Sequence, residues 1–349
     1  MSYTRFLGAG ALTSVLTLAL PDKVRAQDVD GGVSLAQPAA TLIMPFDNTA
    51  GRASFQIVSR IGRGAGSEQI ATHWSYWSHD CRHLVDVFVC LTPDDTKVMD
   101  PVRVQSEIQA PNPPVNAAIG SVTDLTGERG LTTVTAYRAR TGPSRRECLA
   151  DPASPLENEL VGGWTIADTV TGAAFGADAI GVASDLLPDA NLIVESGLVV
   201  QTFNPVGLGD SSVILLGVEV EQGSGAFRGE IGPIRRDRRA DGAHVCCSLS
   251  FTDDLEITTS LPDLCWECAG FHPISAAQRR GEDTPVIPAN TSIDAPGFLR
   301  LRDCRVGDPG TGAIVDLGEP AEQFIFAIHG QAIGPFGVGL HGKYTGESF

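Results

Sequence analysis

Apolar and polar residues alternate along much of this chain with the two-residue period of a half-buried β-strand. The alternation is clear over residues 55–61, where Phe55 and Ile57 stand in step, and it recurs over residues 70–76. An apolar run over residues 84–91 follows after the polar link HDCRH. Two strands joined by so short a link predict a β-hairpin.

Seven further segments have the alternation or the composition of strands. They are residues 131–138, 163–168, 211–221, 245–251, 255–259, 298–302 and 323–330. The segment SSVILLGVEVE is apolar on both faces, which is typical of a central strand. Helix signals are confined to the Ala-rich residues 173–200, which Gly and Pro interrupt. Long loops rich in Pro, Gly and charge separate the strands, so we predict a mostly β protein, a jelly-roll-like β-sandwich with little helix.

The first 26 residues have the three-part layout of a secretory signal peptide. Arg5 gives a basic start, and residues 6–20 form an apolar stretch that is shorter than the ~20 residues that span a bilayer. The small-residue pattern Val24-Arg25-Ala26 follows. We therefore expect export and cleavage after Ala26.

The remainder of the chain divides into a lead-in and a folded part. Residues 27–40 are small and polar without periodicity, which indicates a flexible segment. We expect the β-sandwich domain to occupy residues 41–349, either as one unit or as two packed β halves divided near residue 205. No later apolar run is long and uncharged enough to predict a membrane helix.

Composition and charge narrow the class of partner. The chain has 39 glycines and 22 prolines, and 19% of its residues are charged, which fits many turns between short strands. Its formal net charge is −17, so its surface repels phosphate backbones and argues against nucleic acid as a partner. We expect an extracellular or periplasmic protein partner, or a glycan.

Eight cysteines follow the leader, and an even number in an exported protein predicts up to four disulfides. They are Cys81, Cys90, Cys148, Cys246, Cys247, Cys265, Cys268 and Cys304. Cys81 and Cys90 bracket the second strand of the predicted hairpin, which favours a disulfide between them. Pairing of each with a more distant cysteine is the open alternative.

Cys265 and Cys268 form a Cys-x-x-Cys motif, with Cys246 and Cys247 upstream. A redox motif belongs at a helix N-terminus, whereas the residues SLPD before this one indicate a turn. A four-cysteine zinc site would have a spaced first pair rather than an adjacent one. Adjacent cysteines of a strand point to opposite faces. We therefore expect one of the adjacent pair to bond Cys265 or Cys268, and we retain zinc as the alternative.

Three loop residues could form a metal site. His79 and His83 lie four residues apart with Asp80 between them, and His73 is close upstream. Imidazole and carboxylate groups are ligands for zinc, and carboxylates also bind calcium. The alternative is that these are exposed loop histidines without a metal. No other cofactor is expected.

Aromatic residues offer a second kind of candidate site. Trp74, Trp77 and Trp266 would favour glycan or partner binding if they faced solvent. Trp74 lies on the same face of the predicted strand as Ile70, which instead favours burial of Trp74 in the core.

Five sequence blocks are spread over most of the chain after the leader. They are LIMPFD (42–47), CLTPDDT (90–96), GGWTIADTVTGAAFGADAI (162–180), DLEITTSLPDLCWEC (254–268) and GFLRL (297–301). With these blocks the chain resembles a loose group of uncharacterised exported bacterial β-rich proteins. The resemblance implies export and a β architecture, and it implies no activity.

No motif for a catalytic nucleophile or for a metalloprotease occurs in the sequence. We expect an exported, non-catalytic structural, surface or binding protein that disulfides stabilise, located in the periplasm, at the cell surface or outside the cell. The alternative is an exported hydrolase that acts on glycans through a pair of loop carboxylates. Such an enzyme would have two close carboxylates with perturbed pKa values.

Overall fold

The computed structural model describes most of the chain between residues 33 and 339. The described residues are 33–34, 38–61, 69–101, 115–119, 124–141, 148–151, 158–170, 172, 174–182, 198–203, 211–220, 230–233, 244–274, 284–291, 293, 297–307, 314–316, 323–331 and 338–339. The predicted signal peptide lies outside them. No helix in this part of the chain is long and apolar enough to cross a membrane.

Nearly all regular structure in the described residues consists of strands. In chain order they are β1 (Val33–Ser34), β2 (Thr41–Asp47), β3 (Arg52–Arg60), β4 (Ile70–Ser78), β5 (His83–Leu91), β6 (Thr96–Met99), β7 (Val115–Ile119), β8 (Arg129–Thr141), β9 (Cys148–Ala150), β10 (Leu160–Asp168), β11 (Ala174–Asp178), β12 (Ile180–Val182), β13 (Leu198–Phe203), β14 (Ser211–Val220), β15 (Ile231–Pro233), β16 (His244–Asp253), β17 (Thr258–Trp266), β18 (Ala269–Pro273), β19 (Gly297–Gly307), β20 (Ile314–Asp316), β21 (Gln323–Gln331) and β22 (Val338–Gly339).

These strands form four sheets, which we number I to IV. Sheet I has the order β1-β12-β2-β8-β4-β5-β7, with β9 on β8, and sheet II has the order β22-β11-β10-β3-β6. Sheet III has the order β13-β19-β16-β17, with β20 on β19. Sheet IV has the order β15-β14-β18, with β21 on β14. Pairing is antiparallel except between β11 and β22. The predicted mostly β, sandwich-like class is confirmed.

Sheet I is covered on both faces, and β4 at its centre is buried at every position. On one side, Gln56 of β3 in sheet II donates to Thr132 of β8 at 2.9 Å. On the other side, Glu230, directly before β15 of sheet IV, bonds His73 of β4 at 2.8 Å. Sheets II, I and IV therefore share one hydrophobic core.

Sheet IV separates that core from a second one. Ile214 and Leu216 of β14 pack in the core shared with sheet I. Val213 and Leu215, on the opposite face of the same strand, pack with the apolar residues of sheet III. The layers thus follow the order II, I, IV, III. The prediction that this segment is a central strand with two apolar faces is confirmed.

The chain supplies the sheets in sequence. The described strands up to residue 182 form sheets I and II, and those from residue 198 onward form sheets III and IV, except that β22 joins sheet II. The division into two halves near residue 205 stays a prediction. At the end of the expected lead-in, Ala39 and Ala40 are buried and Ala39 pairs with Leu160.

The predicted hairpin is confirmed as β4 and β5, but the orientation of β3 differs from that of an ordinary amphipathic strand. The alternation over residues 55–61 belongs to a strand, yet the side that carries Gln56, Val58 and Arg60 faces the core. Gln56 is fully buried, while Phe55 and Ile57 are 41% and 44% exposed. The buried polar groups are satisfied within the core, since Tyr76 of β4 also donates its hydroxyl to Gln56 at 3.2 Å. Hydrogen bonds in the interior thus hold the apolar side of β3 outward.

Two other expectations were wrong in detail. Residues 260–263 (SLPD) belong to β17 rather than to a turn, and the turn lies earlier, at residues 254–257. Pro262 fits because β17 is the edge strand of sheet III and its register with β16 shifts at this point. The described part of the Ala-rich residues 173–200 forms the short strands β11 and β12, and the start of β13, instead of a helix.

Candidate functional site

A cluster of charged side chains lies buried between sheets I and IV. It begins with His73, which the alternation of β4 directs toward sheet IV. In register, His73 lies opposite Phe88 of β5 and Thr135 of β8. Its ring stacks on Phe88 with 4.5 Å between ring centroids and 8° between planes. The imidazole is thereby fixed against the sheet with both nitrogens available for carboxylates.

Two carboxylates from distant parts of the chain hold the His73 ring. Nδ1 donates to Oε1 of Glu230 at 2.8 Å, and Nε2 lies 3.5 Å from Oδ1 of Asp86. Tyr137 of β8 donates its hydroxyl to the same Glu230 oxygen at 2.5 Å. Only 8% of the His73 side chain and 10% of the Glu230 side chain are exposed. The contact therefore joins the two sheets through a nearly dry ion pair.

The cluster reaches solvent through Asp86. Its Oδ1 accepts hydrogen bonds from Ser75 and, at 2.8 Å, from Nε2 of His83. The His83 ring packs on Trp77 with 4.6 Å between centroids, and 30% of the His83 side chain is exposed. We refer to His73, Asp86, Glu230, Tyr137 and His83 as the ionic cluster.

The surroundings shift two pKa values in opposite directions. Burial alone would lower the pKa of His73, but the hydrogen bonds and charges of Asp86 and Glu230 outweigh it and raise this pKa to about 10. Burial alone would raise the pKa of Asp86, but hydrogen bonds and charges from His73 and His83 hold it well below its usual range. At neutral pH, His73 is a cation and Asp86 is an anion.

These protonation states limit what the cluster can do chemically. A general base must be able to accept a proton, and a general acid of the carboxyl type needs a raised pKa. His73 already holds its proton, and Asp86 has lost its own over the whole neutral range. The arrangement is a buried electrostatic contact between sheets I and IV.

A disulfide joins the same two sheets close to the ionic cluster. Cys81, in the turn between β4 and β5, is bonded to Cys268, between β17 and β18, with 5.1 Å between Cα atoms. The amides of Cys268 and Ala269 donate to the carbonyl of His79 at 3.0 and 3.3 Å. The predicted bond between Cys81 and Cys90 is therefore wrong. Cys90 forms a different disulfide, while the turn that carries Cys81 rests on the segment that carries Cys268.

The second disulfide, Cys246–Cys265, links neighbouring strands of sheet III. The two residues are paired in register between β16 and β17, with 4.1 Å between Cα atoms. The expectation that one of the adjacent cysteines reaches Cys265 or Cys268 is confirmed. Cys247 lies on the opposite face, in the second core, and is also disulfide-bonded. Sulfurs bonded in disulfides do not ligate zinc, and all four cysteines of this motif are disulfide-bonded. The side chains of Cys148 and Cys304 lie outside the described part of the chain.

The structure does not assemble His79, Asp80 and His83 into a ligand set. Nδ1 of His79 is 3.9 Å from Oδ1 of Asp80, whereas His83 is the first residue of β5 and bonds Asp86 instead. Within the residues that the structure describes, no group of three His, Cys, Asp or Glu side chains could hold a metal ion. His79 lies in the turn and His83 on the strand, so the four-residue spacing does not bring their side chains to one place.

The three candidate tryptophans do not form an exposed aromatic surface. Trp74, Trp77 and Trp266 are 0%, 6% and 4% exposed. Trp74 donates its indole N–H to Oγ1 of Thr72 at 2.9 Å inside the core. All three pack in the interior, so they do not meet the condition of facing solvent that would favour glycan or partner binding.

The sequence contained a partial signal for the ionic cluster. Asp86 is the one charged residue in the apolar strand LVDVFVCL, and a buried carboxylate requires a partner. Glu230 has no comparable signal, since it lies 157 residues from His73 in the chain. Comparison with protein-family models, with curated proteins and with solved structures finds no match to this chain.

Proposed function

We propose that the chain is an exported, non-catalytic protein with a structural, surface or binding role outside the cytoplasm. The disulfides indicate an oxidising, non-cytoplasmic location. In this proposal, residues 1–26 are the signal peptide that directs export. The protein would persist as a rigid stack of sheets, held by covalent links and by the ionic cluster.

One observation carries the non-catalytic part of the proposal. The two close carboxylates, Asp86 and Glu230, are both engaged by His73, and the pKa of Asp86 is lowered. A glycosidase needs a carboxylic acid whose pKa is raised, so that it is protonated when the substrate arrives. The shift of Asp86 has the opposite sign, so Asp86 does not fit the role of that general acid. A stabilising role for Asp86 and Glu230 is consistent with the burial of both side chains and with the lowered pKa of Asp86.

Intact-mass analysis of the full precursor, expressed in an export-competent bacterium, tests the compartment. We expect a mass that corresponds to cleavage after Ala26 and a gain of two hydrogens per disulfide on reduction. A retained leader, or free thiols at Cys81 and Cys268 in unreduced protein, would contradict the proposal.

Hydrolysis assays on a panel of polysaccharides test the absence of catalysis. We expect no turnover by the exported protein, and lower stability but still no turnover in the Asp86→Asn variant. Turnover that Asp86→Asn abolishes and that the exposed-site control Asp124→Asn preserves would favour the glycan hydrolase instead.

A further inference from the structure

The disulfides Cys246–Cys265 and Cys81–Cys268 differ in how far solvent reaches them. Cys265 is exposed and Cys246 is half-buried, whereas Cys81 and Cys268 are 2% and 0% exposed. Among the cysteine side chains that the structure describes, Cys265 is the one that faces solvent. Thiol exchange requires direct contact between the attacking sulfur and the disulfide, so exposed disulfides react and buried ones resist. Cys246–Cys265 is therefore the accessible bond of the two.

The exposure of Cys265 follows from the order of the layers and from the alternation of β17. Sheet III is the last layer of the stack, and its inner face packs in the second core. Leu264 and Trp266, on either side of Cys265, are buried in that core. Their alternation turns Cys265 to the outer face, where the register pairs it with Cys246. The disulfide thus lies across two strands on the surface of the sheet.

The C-terminal end of β17 is held to β16 by a short ladder. The register has three pairs around Cys246 and Cys265 and then shifts between Cys247 and Leu249. Pro262 lies at this shift and has no amide hydrogen to donate. Among the described strands, β17 pairs with β16 alone, because it is the edge of sheet III. A register shift, a proline and an edge position therefore leave this end dependent on few backbone hydrogen bonds.

The disulfide supplies a link where backbone pairing is weakest. The Cα atoms of Cys246 and Cys265 are 4.1 Å apart, which matches the short spacing of an antiparallel pair that exchanges no backbone hydrogen bonds. By the alternation of such ladders, the hydrogen bonds belong to the flanking pairs, which place Trp266 opposite Val245 and Leu264 opposite Cys247. Opening of the S–S bond leaves these two pairs to hold the end of β17.

We propose that Cys246–Cys265 is a redox modification site, which a dithiol reductant opens on the folded protein while Cys81–Cys268 stays closed, and that its opening loosens the C-terminal end of β17. Dithiols are the chemical class of the disulfide reductases and isomerases. The protein thereby keeps its covalent link between the turn of sheet I and the strand that enters sheet IV, and it changes in sheet III.

The exchange balances with the dithiol as co-reactant. A thiolate of the reductant attacks Sγ of Cys265, a new S–S bond forms, and the bond to Cys246 breaks. Sγ of Cys246 leaves as a thiolate and takes a proton from water. The second thiol of the reductant then attacks the mixed disulfide and releases Cys265. Two electrons pass to the protein, which gains two thiols, and the dithiol becomes a disulfide.

The charges beside the disulfide offset each other. Arg305 of β19 is in register with Cys246, and its guanidinium donates to Asp263 at 2.8 Å. A cation beside a sulfur favours the thiolate that leaves, whereas a carboxylate opposes the approach of an attacking thiolate. Since the two charges are paired, solvent access is the factor that sets the rate of opening.

The site is also arranged to close again. Cys246 and Cys265 are separated by 19 residues, so the loop between the two thiols is short. Beyond the register shift, the two strands stay paired as far as Thr252 and Thr258, which keeps the cysteines near each other. Oxidation should therefore restore the original bond.

Graded treatment of the exported full chain with dithiothreitol, followed by alkylation and peptide mass spectrometry, tests the selectivity. We expect Cys246 and Cys265 to be alkylated at least about a hundredfold faster than Cys81 and Cys268, because a buried bond reacts only after local opening of the fold. Equal rates for the two bonds, or earlier alkylation of the buried pair, would overturn the proposal.

Amide hydrogen exchange of the partly reduced protein tests the structural consequence. We expect the amides of Leu264 and Trp266 to exchange at least about tenfold faster once the bond is open, while the amides of β4 keep their protection. The double variant Cys246→Ser with Cys265→Ser should show the same pattern without reductant, and dithiothreitol should add no further change at these amides. Unchanged exchange at Leu264 and Trp266 in the reduced wild type would overturn the proposal, whatever the variant shows.

Discussion

His73 owes its charge to two carboxylates that lie far from each other in the chain. Because its pKa rises from 6.5 to about 10 on folding, the folded protein binds a proton that the unfolded chain has released. The resulting stability is complete below about pH 6.5 and is lost as the pH rises through about 10. The free energy of unfolding should fall over this window by an amount on the order of 5 kcal/mol.

The His73→Gln variant tests that linkage. Without the imidazole, two buried carboxylates lose their cation, so we expect about 3 kcal/mol lower stability at pH 7 and a flatter profile between pH 6.5 and 10. Urea unfolding at several pH values measures both effects. His79→Gln is the control, since 47% of the His79 side chain is exposed. A profile that His73→Gln leaves as steep as that of the wild type would exclude the ion pair as its source.

Individual residues of the ionic cluster were only partly predictable. An aspartate inside an apolar strand indicates a buried ion pair or hydrogen bond, and Asp86 has such a position. The identity of its partners depends on which strands become neighbours and on which face of sheet I receives Glu230. Neither depends on local sequence, which is why the histidine spacing suggested a metal site instead.

The turn between β16 and β17 has a backbone conformation that its sequence does not predict. Glu256 has φ = 64°, in the left-handed region that favours glycine. Asp253 compensates, because its Oδ1 accepts from the amides of Leu255 and Ile257 at 2.9 and 2.8 Å. Because the sequence has no glycine or asparagine here, its pattern predicted a strand over residues 255–259 instead of a turn over residues 254–257.

Replacing Glu256 with glycine should therefore stabilise the protein. Glycine removes the steric cost of the left-handed conformation but adds freedom to the unfolded chain, so we expect a net gain of about 0.5–1 kcal/mol. Thermal unfolding would show a higher midpoint for Glu256→Gly. Glu256→Ala, which keeps the strained backbone, should stay close to the wild type. An equal gain for alanine would mean that the glutamate side chain, rather than its backbone, carries the cost.

Most strands were predictable, because a two-residue period requires no knowledge of the neighbours. Which face of a strand points to the core, in contrast, depends on the partners that its side chains find there. Hydropathy alone would bury Phe55 and Ile57, yet Gln56 and Arg60 find hydrogen-bond partners inside the protein, and this reverses the faces of β3. The alternation thus predicted the element correctly but not its orientation.

The four-layer stack relies on a link between its two inner sheets. Cys81–Cys268 closes a loop of 187 residues, and Cys246–Cys265 closes one of 19. A longer loop restricts the unfolded chain more strongly. Replacing Cys81 and Cys268 together by serine should cost about 5 kcal/mol, against about 3 kcal/mol for Cys246 and Cys265.

Urea unfolding of the two serine-pair variants measures this difference, with double replacements chosen so that no single thiol is left to mispair. Since the longer link also holds sheet I to sheet IV, its loss should weaken the contact of His73 with Glu230. Equal losses of stability in the two variants would show that the connection between the inner sheets contributes little.

The wide separation of Cys81 and Cys268 also bears on how the chain is made. Under the proposed export, Cys81 and Cys90 reach the oxidising side early in translocation, before Cys268 does. Nearby thiols collide most often, so the first bond to form would be the local, incorrect one. Correct maturation then calls for thiol exchange, and we expect secretion yield to depend on a disulfide isomerase in the receiving compartment.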